Sequence, residues 1–134
     1  MFNIDHRLLS SCVFLDDWPL SSVFLKNNSQ YPWFILIPRQ TDVRSIDMLA
    51  KDLRYQLTDE IYKLSIFIKN HFQPEQLNVG ALGNIVPQLH VHLIARFKHD
   101  KLWPHSVWQA DLNESPYDDD ERAALIQAFY QSTR

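Results

Sequence analysis

Hydrophobic and polar positions change their period several times along the 134 residues, and each change predicts an element. Val23, Phe24 and Leu25 lie in a run from Pro19 to Asn27, and the polar cluster Asn27-Asn28-Ser29-Gln30 reads as a turn. Trp33 to Ile37 is apolar without interruption and stops at Pro38, as a buried strand does. These two segments predict an antiparallel hairpin with a longer loop, within a first forty residues that read as strand throughout. Apolar residues then recur at Ile46, Leu49, Leu53, Leu57, Ile61, Leu64 and Ile68, spacings that mark one face of a long helix packed on a core. Ser45 is its expected N-cap, Asp47 falls in its first turn, and Pro74 puts its end near Phe72. Leu77, Val79 and Ala81 alternate with Asn78 and Gly80 as a further strand, and residues 87–96 form the next. A last helix is predicted from Asp118, with Glu121 completing a capping box and Leu125 and Phe129 as its buried stripe. The order predicts an α+β fold in a single domain spanning 1–134. An antiparallel sheet carries the long helix on one face, with a short C-terminal helix.

Composition changes this picture little. Hydrophobic residues at 46% and charged residues at 22% are ordinary for a globular chain. The net charge of −3 argues against a phosphate-neutralising surface, so no nucleic-acid partner is expected, although a small anionic ligand needs only a few local donors. No apolar run is long enough to span a membrane. Cys12 stands alone, which excludes an internal disulfide or a thiolate metal cluster, and it reads as a small half-buried residue. The N-terminus lacks the basic and apolar regions of a signal peptide, so the expected location is the cytoplasm.

Candidate chemistry concentrates in Pro87-Gln88-Leu89-His90-Val91-His92-Leu93-Ile94-Ala95-Arg96. On a strand His90 and His92 project from one face with Gln88 and Arg96, while Leu89, Val91, Leu93 and Ala95 line the other. The apolar face is expected under the long helix, which leaves the histidines on the open face beside a shallow cleft. Three readings of the pair stand. It is a half-buried polar face; or one imidazole attacks phosphorus while the other donates to oxygen; or both ligate a metal. A catalytic metal needs a third ligand, and His6, His71, His99 and His105 lie in segments without matching spacing, so neither a metal nor another cofactor is expected. The only two glycines, Gly80 and Gly83, immediately precede the histidine segment, where they serve a tight turn or the close approach of a ligand.

The segment Gly83-Asn84-Ile85-Val86-Pro87-Gln88-Leu89-His90-Val91-His92-Leu93-Ile94 resembles the signature of the histidine triad (HIT) family, in which three histidines alternate with apolar residues. The resemblance extends to Phe34-Ile35-Leu36-Ile37-Pro38, to Asn78-Val79-Gly80 and to Trp103-Pro104, covering roughly residues 20–105. It implies that His90 is the nucleophile, that His92 contacts the phosphate and bridging oxygen, and that Asn78 and Asn84 line the phosphate site. It further implies that Gly83 lets the loop approach the ligand and that Asn27 reads the ribose hydroxyls. Two positions depart from the pattern. Gln88 replaces the first histidine of the triad, and Ile85 replaces the usual hydroxyl-bearing phosphate donor. Gln88 is expected to hold a neighbouring imidazole without carrying a proton, and restoring histidine there is expected to preserve or raise activity. The implied activity is hydrolysis or nucleotidyl transfer at a nucleotide α-phosphate through a covalent histidine intermediate. Dinucleoside polyphosphates and nucleoside phosphoramidates are the implied substrates, and the partner is a small-molecule nucleotide. A nucleotide-binding module with little turnover is the alternative. Members of the family commonly form homodimers, so a homodimer is expected.

Overall fold

The structure, a computed structural model, describes residues 1–108 and 112–134. A short helix α1 (His6–Leu9) precedes strands β1 (Cys12–Asp17), β2 (Ser21–Lys26) and β3 (Trp33–Pro38). A 3-10 turn (Ile46–Met48), helix α2 (Lys51–Phe72), strands β4 (Gln76–Gly80) and β5 (Val91–Arg96) and helix α3 (Asp119–Thr133) follow. The five strands form one antiparallel sheet in the order β1-β2-β3-β5-β4. The expected hairpin is the β2–β3 pair, and β5 inserts beside β3, so the histidine segment lies inside the sheet.

The long helix begins later than its periodicity predicts. Ser45 precedes only the 3-10 turn and makes no side-chain cap, and the chain is extended at Leu49 and Ala50 before α2 starts at Lys51. Leu49 is 3% exposed, so the extended step carries it into the core, and its carbonyl accepts from the Arg54 guanidinium at 2.6 Å. The C-terminus falls as predicted at Phe72. Gln73 adopts a left-handed conformation (φ 52°) and returns its N–H to the Lys69 carbonyl, and Pro74 prevents continuation. In α3 the Asp118 carboxylate accepts from the Glu121 N–H at 2.8 Å, and Leu125 and Phe129 are its buried residues.

On the α2 face, Leu57, Leu64, Phe67 and Ile68 pack on Phe34, Leu36, Leu89, Val91, Leu93 and Ala95, with Phe129 of α3 closing the cluster. This is the burial that the alternation of residues 89–95 predicts. The other face is not open. Trp33, Ile35, Ile37 and Ile94 form a second apolar cluster there with Phe24, Tyr31, Leu8, Val86 and Val107. The covering residues come from the N-terminal segment, the loop before β5 and the chain after Arg96. None of these segments is regular enough to show a period, so the expected shallow cleft is a covered site. Both faces of β3 are therefore buried, which accounts for its unbroken apolar run.

Arg96 organises one end of this cover. It is 2% exposed and pairs with Asp100, its Nε and Nη2 donating to the two carboxylate oxygens at 2.8 and 3.0 Å. Asp100 also accepts the backbone N–H groups of Phe97, Leu102 and Trp103, which folds that segment back over the sheet. Asp100→Ala leaves a buried guanidinium unpaired, and the expected loss is about 3–5 kcal/mol. Urea unfolding of the two proteins measures it, and a loss below about 1 kcal/mol contradicts the role given to this pair.

Candidate functional site

His90 immediately precedes β5 and His92 lies within it, and both project from the face opposite α2. Their rings are neighbours, 4.8 Å between centroids and 73° between planes. His90 is 7% exposed, and its Nδ1 lies 2.6 Å from the main-chain carbonyl oxygen of Gln88. A carbonyl can only accept, so Nδ1 carries a proton, and in the neutral ring the lone pair lies on Nε2. His92 has the opposite arrangement. The Trp33 indole Nε1–H donates to His92 Nδ1 at 2.9 Å. An indole is only a donor, so His92 Nδ1 is the acceptor and the proton resides on Nε2. One imidazole presents a lone pair and the next an N–H.

Electrostatics keep His92 neutral. Burial, then the neighbouring His90 and Lys26, depress its pKa from 6.5 to about 3. The Lys26 ammonium lies 4.9 Å from the Trp33 ring centroid, above the indole that orients His92.

Two cavities lie nearby, the smaller against His90 and the larger against the Trp33 and Trp108 indoles, bordered by neither histidine. The smaller, about 120 Å³, is bordered by His90, Gln88, Gly83, Arg44 and Ser45. The larger, about 740 Å³, is bordered by Trp33, Trp108, Lys26, Asn27 and Cys12 among others. Trp108 reaches this place because Gly80, directly opposite His92 in the sheet, has no side chain: a Cβ there would stand 2.8 Å from the indole. The indole centroid is 6.2 Å from the His92 ring. Burial raises the Cys12 thiol pKa, so at neutral pH it remains a protonated lining group.

The remaining sequence candidates separate. Gly83 borders the smaller cavity with φ 77°, a conformation that excludes most side chains. Asn84 is exposed one residue further along the loop. Asn27 borders the larger cavity, and its carboxamide oxygen accepts the Tyr117 N–H at 3.0 Å. Asn78 faces Ile94, one step along the sheet from His92, and accepts from Arg96 at 3.1 Å, so it belongs to the buried Arg96 network. Arg96, which strand parity places with the histidines, is likewise occupied by Asp100. The side chain of Gln88 turns toward the N-terminal segment, bonding the main chain at Asn3 and Asp5. Ile85 is 80% exposed. Among the described residues no group of three His, Cys, Asp or Glu is placed to hold a metal ion. No described helix is long and apolar enough to cross a membrane.

Trp33, Trp108 and Lys26 were not singled out as site residues by sequence. Trp33 shares the histidine face only through the β3–β5 register, which places it opposite Ile94 and diagonal to His92. Its one sequence signal is a tryptophan, with an N–H to satisfy, in an otherwise aliphatic and phenylalanine-rich buried strand.

Comparison with known proteins identifies the family. The HIT domain family model matches residues 9–99. A histidine triad protein from Bradyrhizobium japonicum is 35% identical, with a TM-score of 0.95 over 99% of this chain and 98% of that one. One from Marinobacter aquaeolei VT8 is 34% identical, with a TM-score of 0.94 over 99% and 96%. Another, from Sinorhizobium meliloti 1021, is 32% identical, with a TM-score of 0.93 over 98% and 96%. A search of curated proteins returned no match. The chain belongs to the histidine triad family, whose members are generally nucleotide hydrolases or transferases.

The depressed His92 value has a consequence for stability. Between about pH 6.5 and 3 the unfolded chain binds a proton at this residue that the folded chain refuses. Stability therefore falls as pH drops through that window. The expected outcome is a Tm that decreases from pH 7 to pH 4 more steeply in the wild type than in His92→Gln, whose amide oxygen still accepts from Trp33. Parallel Tm profiles contradict the assignment.

Proposed function

We propose that this protein is a nucleotide hydrolase or nucleotidyl transferase in which His90 is the nucleophile. The observation that carries the reading is the opposite hydrogen bonding of two adjacent imidazoles, an acceptor on His90 Nδ1 and a donor on His92 Nδ1. The His90 Nε2 lone pair attacks the α-phosphorus of a bound nucleotide derivative. The bond from phosphorus to the leaving oxygen or nitrogen breaks, its electron pair departs with the leaving group, and a leaving nitrogen takes up a proton from solvent. The imidazole gains positive charge in this step, and the Gln88 carbonyl on its Nδ1–H stabilises that charge. His92 donates its Nε2–H to the phosphoryl or leaving oxygen, and burial keeps it a neutral donor. Water, or the hydroxyl of an acceptor in a transferase, then attacks phosphorus and releases its proton to solvent, and the P–N bond breaks, returning its electron pair to Nε2.

The 740 Å³ cleft is the proposed nucleoside site, supported by the indoles of Trp33 and Trp108 for stacking and by Asn27 for polar contact with the sugar. Gly83 and Asn84 are the proposed loop contacts for the phosphate, and Asn78 supports the site through Arg96. Dinucleoside polyphosphates and nucleoside phosphoramidates are the proposed substrate classes. The reading includes a cytoplasmic homodimer, with β4 at one edge of the sheet and Val79 on it 44% exposed. The binding-module alternative draws on Ile85, which supplies no hydroxyl, and on Gln88, whose amide is engaged elsewhere.

A panel of both substrate classes, followed in single-turnover reactions with intact-mass detection, tests the mechanism. His90→Ala is expected to abolish both turnover and the nucleotidyl adduct. His92→Ala is expected to slow turnover by about 10²-fold or more. Unchanged turnover in His90→Ala overturns the mechanism, and wild-type binding without turnover favours the binding module. Trp33→Phe keeps the ring but removes the indole N–H, and it is expected to lower kcat about three- to tenfold by releasing the His92 tautomer. An unchanged kcat in that variant contradicts the donor role of Trp33.

A further inference from the structure

The carboxamide of Gln88 takes no part in the chemistry above, yet both of its ends are occupied. Its oxygen accepts the Asp5 backbone N–H at 2.9 Å, and its NH₂ donates to the Asn3 carbonyl at 2.7 Å. Two main-chain groups of the N-terminal segment thus hold one side chain, as a neighbouring strand would hold a peptide unit. Arg7 reinforces the junction. Its guanidinium donates to the Ile85 carbonyl at 3.1 Å and to the Asp5 carboxylate at 2.7 Å. Leu8 and Val86 are buried in the same apolar cluster beneath.

The peptide plane that follows Gln88 is fixed from its other side as well. The Leu89 N–H donates to the Val43 carbonyl at 3.0 Å, and it shares that rigid plane with the Gln88 carbonyl. This carbonyl is the acceptor that holds the proton on His90 Nδ1. The contacts form a continuous path from the N-terminal segment, through the Gln88 side chain and then its backbone, to the imidazole.

We propose that the N-terminal segment is a positioning element for His90, acting through the Gln88 side chain on the Gln88 carbonyl. The inference rests on the reading of His90 as nucleophile, because the held tautomer is the one that leaves Nε2 free. It also explains glutamine at this position. A carboxamide presents its acceptor and donor side by side to one passing backbone, whereas the two nitrogens of an imidazole diverge around a ring. Gln88→His therefore unfastens the segment, and the direction expected from the family pattern reverses: turnover falls.

Three variants in the full chain test this. Gln88→Met keeps the side-chain length and removes both hydrogen bonds. Asp5→Pro removes only one of them, the N–H donor, at a residue whose φ of −57° suits proline, though it also loses the capping carboxylate. Asp5→Ala loses the same carboxylate but keeps the N–H, so the pair isolates the backbone contact. The readouts are the ring ¹⁵N shifts of His90 and the steady-state constants. Gln88→Met and Asp5→Pro are expected to give mixed His90 tautomers and a kcat about tenfold lower, with KM changed less than twofold. Asp5→Ala is expected to keep the Nδ1–H form. A single Nδ1–H tautomer with unchanged kcat in both Gln88→Met and Asp5→Pro overturns the proposal, as does Asp5→Ala behaving like Asp5→Pro. If Gln88→Met does not fold, the Asp5 pair decides. If the wild type turns over no substrate, the proposed function fails and the tautomer measurement alone decides this inference.

Discussion

The register between β3 and β5 is the constraint on which the site depends. Pairing Trp33 with Ile94 and Ile35 with His92 places an indole diagonal to an imidazole in the middle of the sheet. At that separation the indole N–H meets His92 Nδ1, and because an indole cannot accept, the imidazole must. A slip of one residue of β5 against β3 would turn His92 into the main core under α2 and away from Trp33. That slip is opposed on both sides, since Leu89, Val91, Leu93 and Ala95 are needed under α2 while Ile94 is needed in the second cluster. Ordinary hydrophobic burial thereby fixes the hydrogen-bonding pattern of the histidine pair.

Burial on both faces has a second effect. A histidine on an open sheet face titrates near its ordinary value and exchanges tautomers freely with water. Here the N-terminal segment, the loop before β5 and the chain after Arg96 close over the pair, so each ring nitrogen facing the protein has one permitted state. Closure is local. The Arg96–Asp100 pair holds the cover at one end and the Gln88 carboxamide holds it at the other, with one cavity left against His90 and another against Trp33 and Trp108. Lys26 and Arg44 each border one of these cavities, which suits an anionic ligand despite the net charge of −3.

Much of this was legible in the chain. Periodicity identified Leu57, Leu64 and Ile68 among the residues that α2 buries but not Phe67 or Glu60, the capping box fixed the start of α3, and the two-residue spacing of His90 and His92 placed them together on the face opposite α2. What escaped was set by contacts distant in sequence. Ser45 has the composition of an N-cap, but burial of Leu49 required an extended step that moved the helix start to Lys51. Asn78 and Arg96 share the histidine face by parity, yet a buried guanidinium needs oxygen partners and took the asparagine for that purpose. The role of Gln88 was invisible because its partners lie 83 and 85 residues away in a segment without periodicity. The same holds for Trp33, whose indole is matched to His92 only after the sheet has formed.

The central claim is that the two imidazoles carry their protons on opposite nitrogens, and ring ¹⁵N spectroscopy of the wild-type protein at pH 7 tests it most directly. The account predicts His90 holding a proton on Nδ1 and a neutral His92 protonated on Nε2, with His92 remaining neutral when the pH is lowered to 5. A protonated His92 at neutral pH, or the same tautomer on both residues, would contradict it.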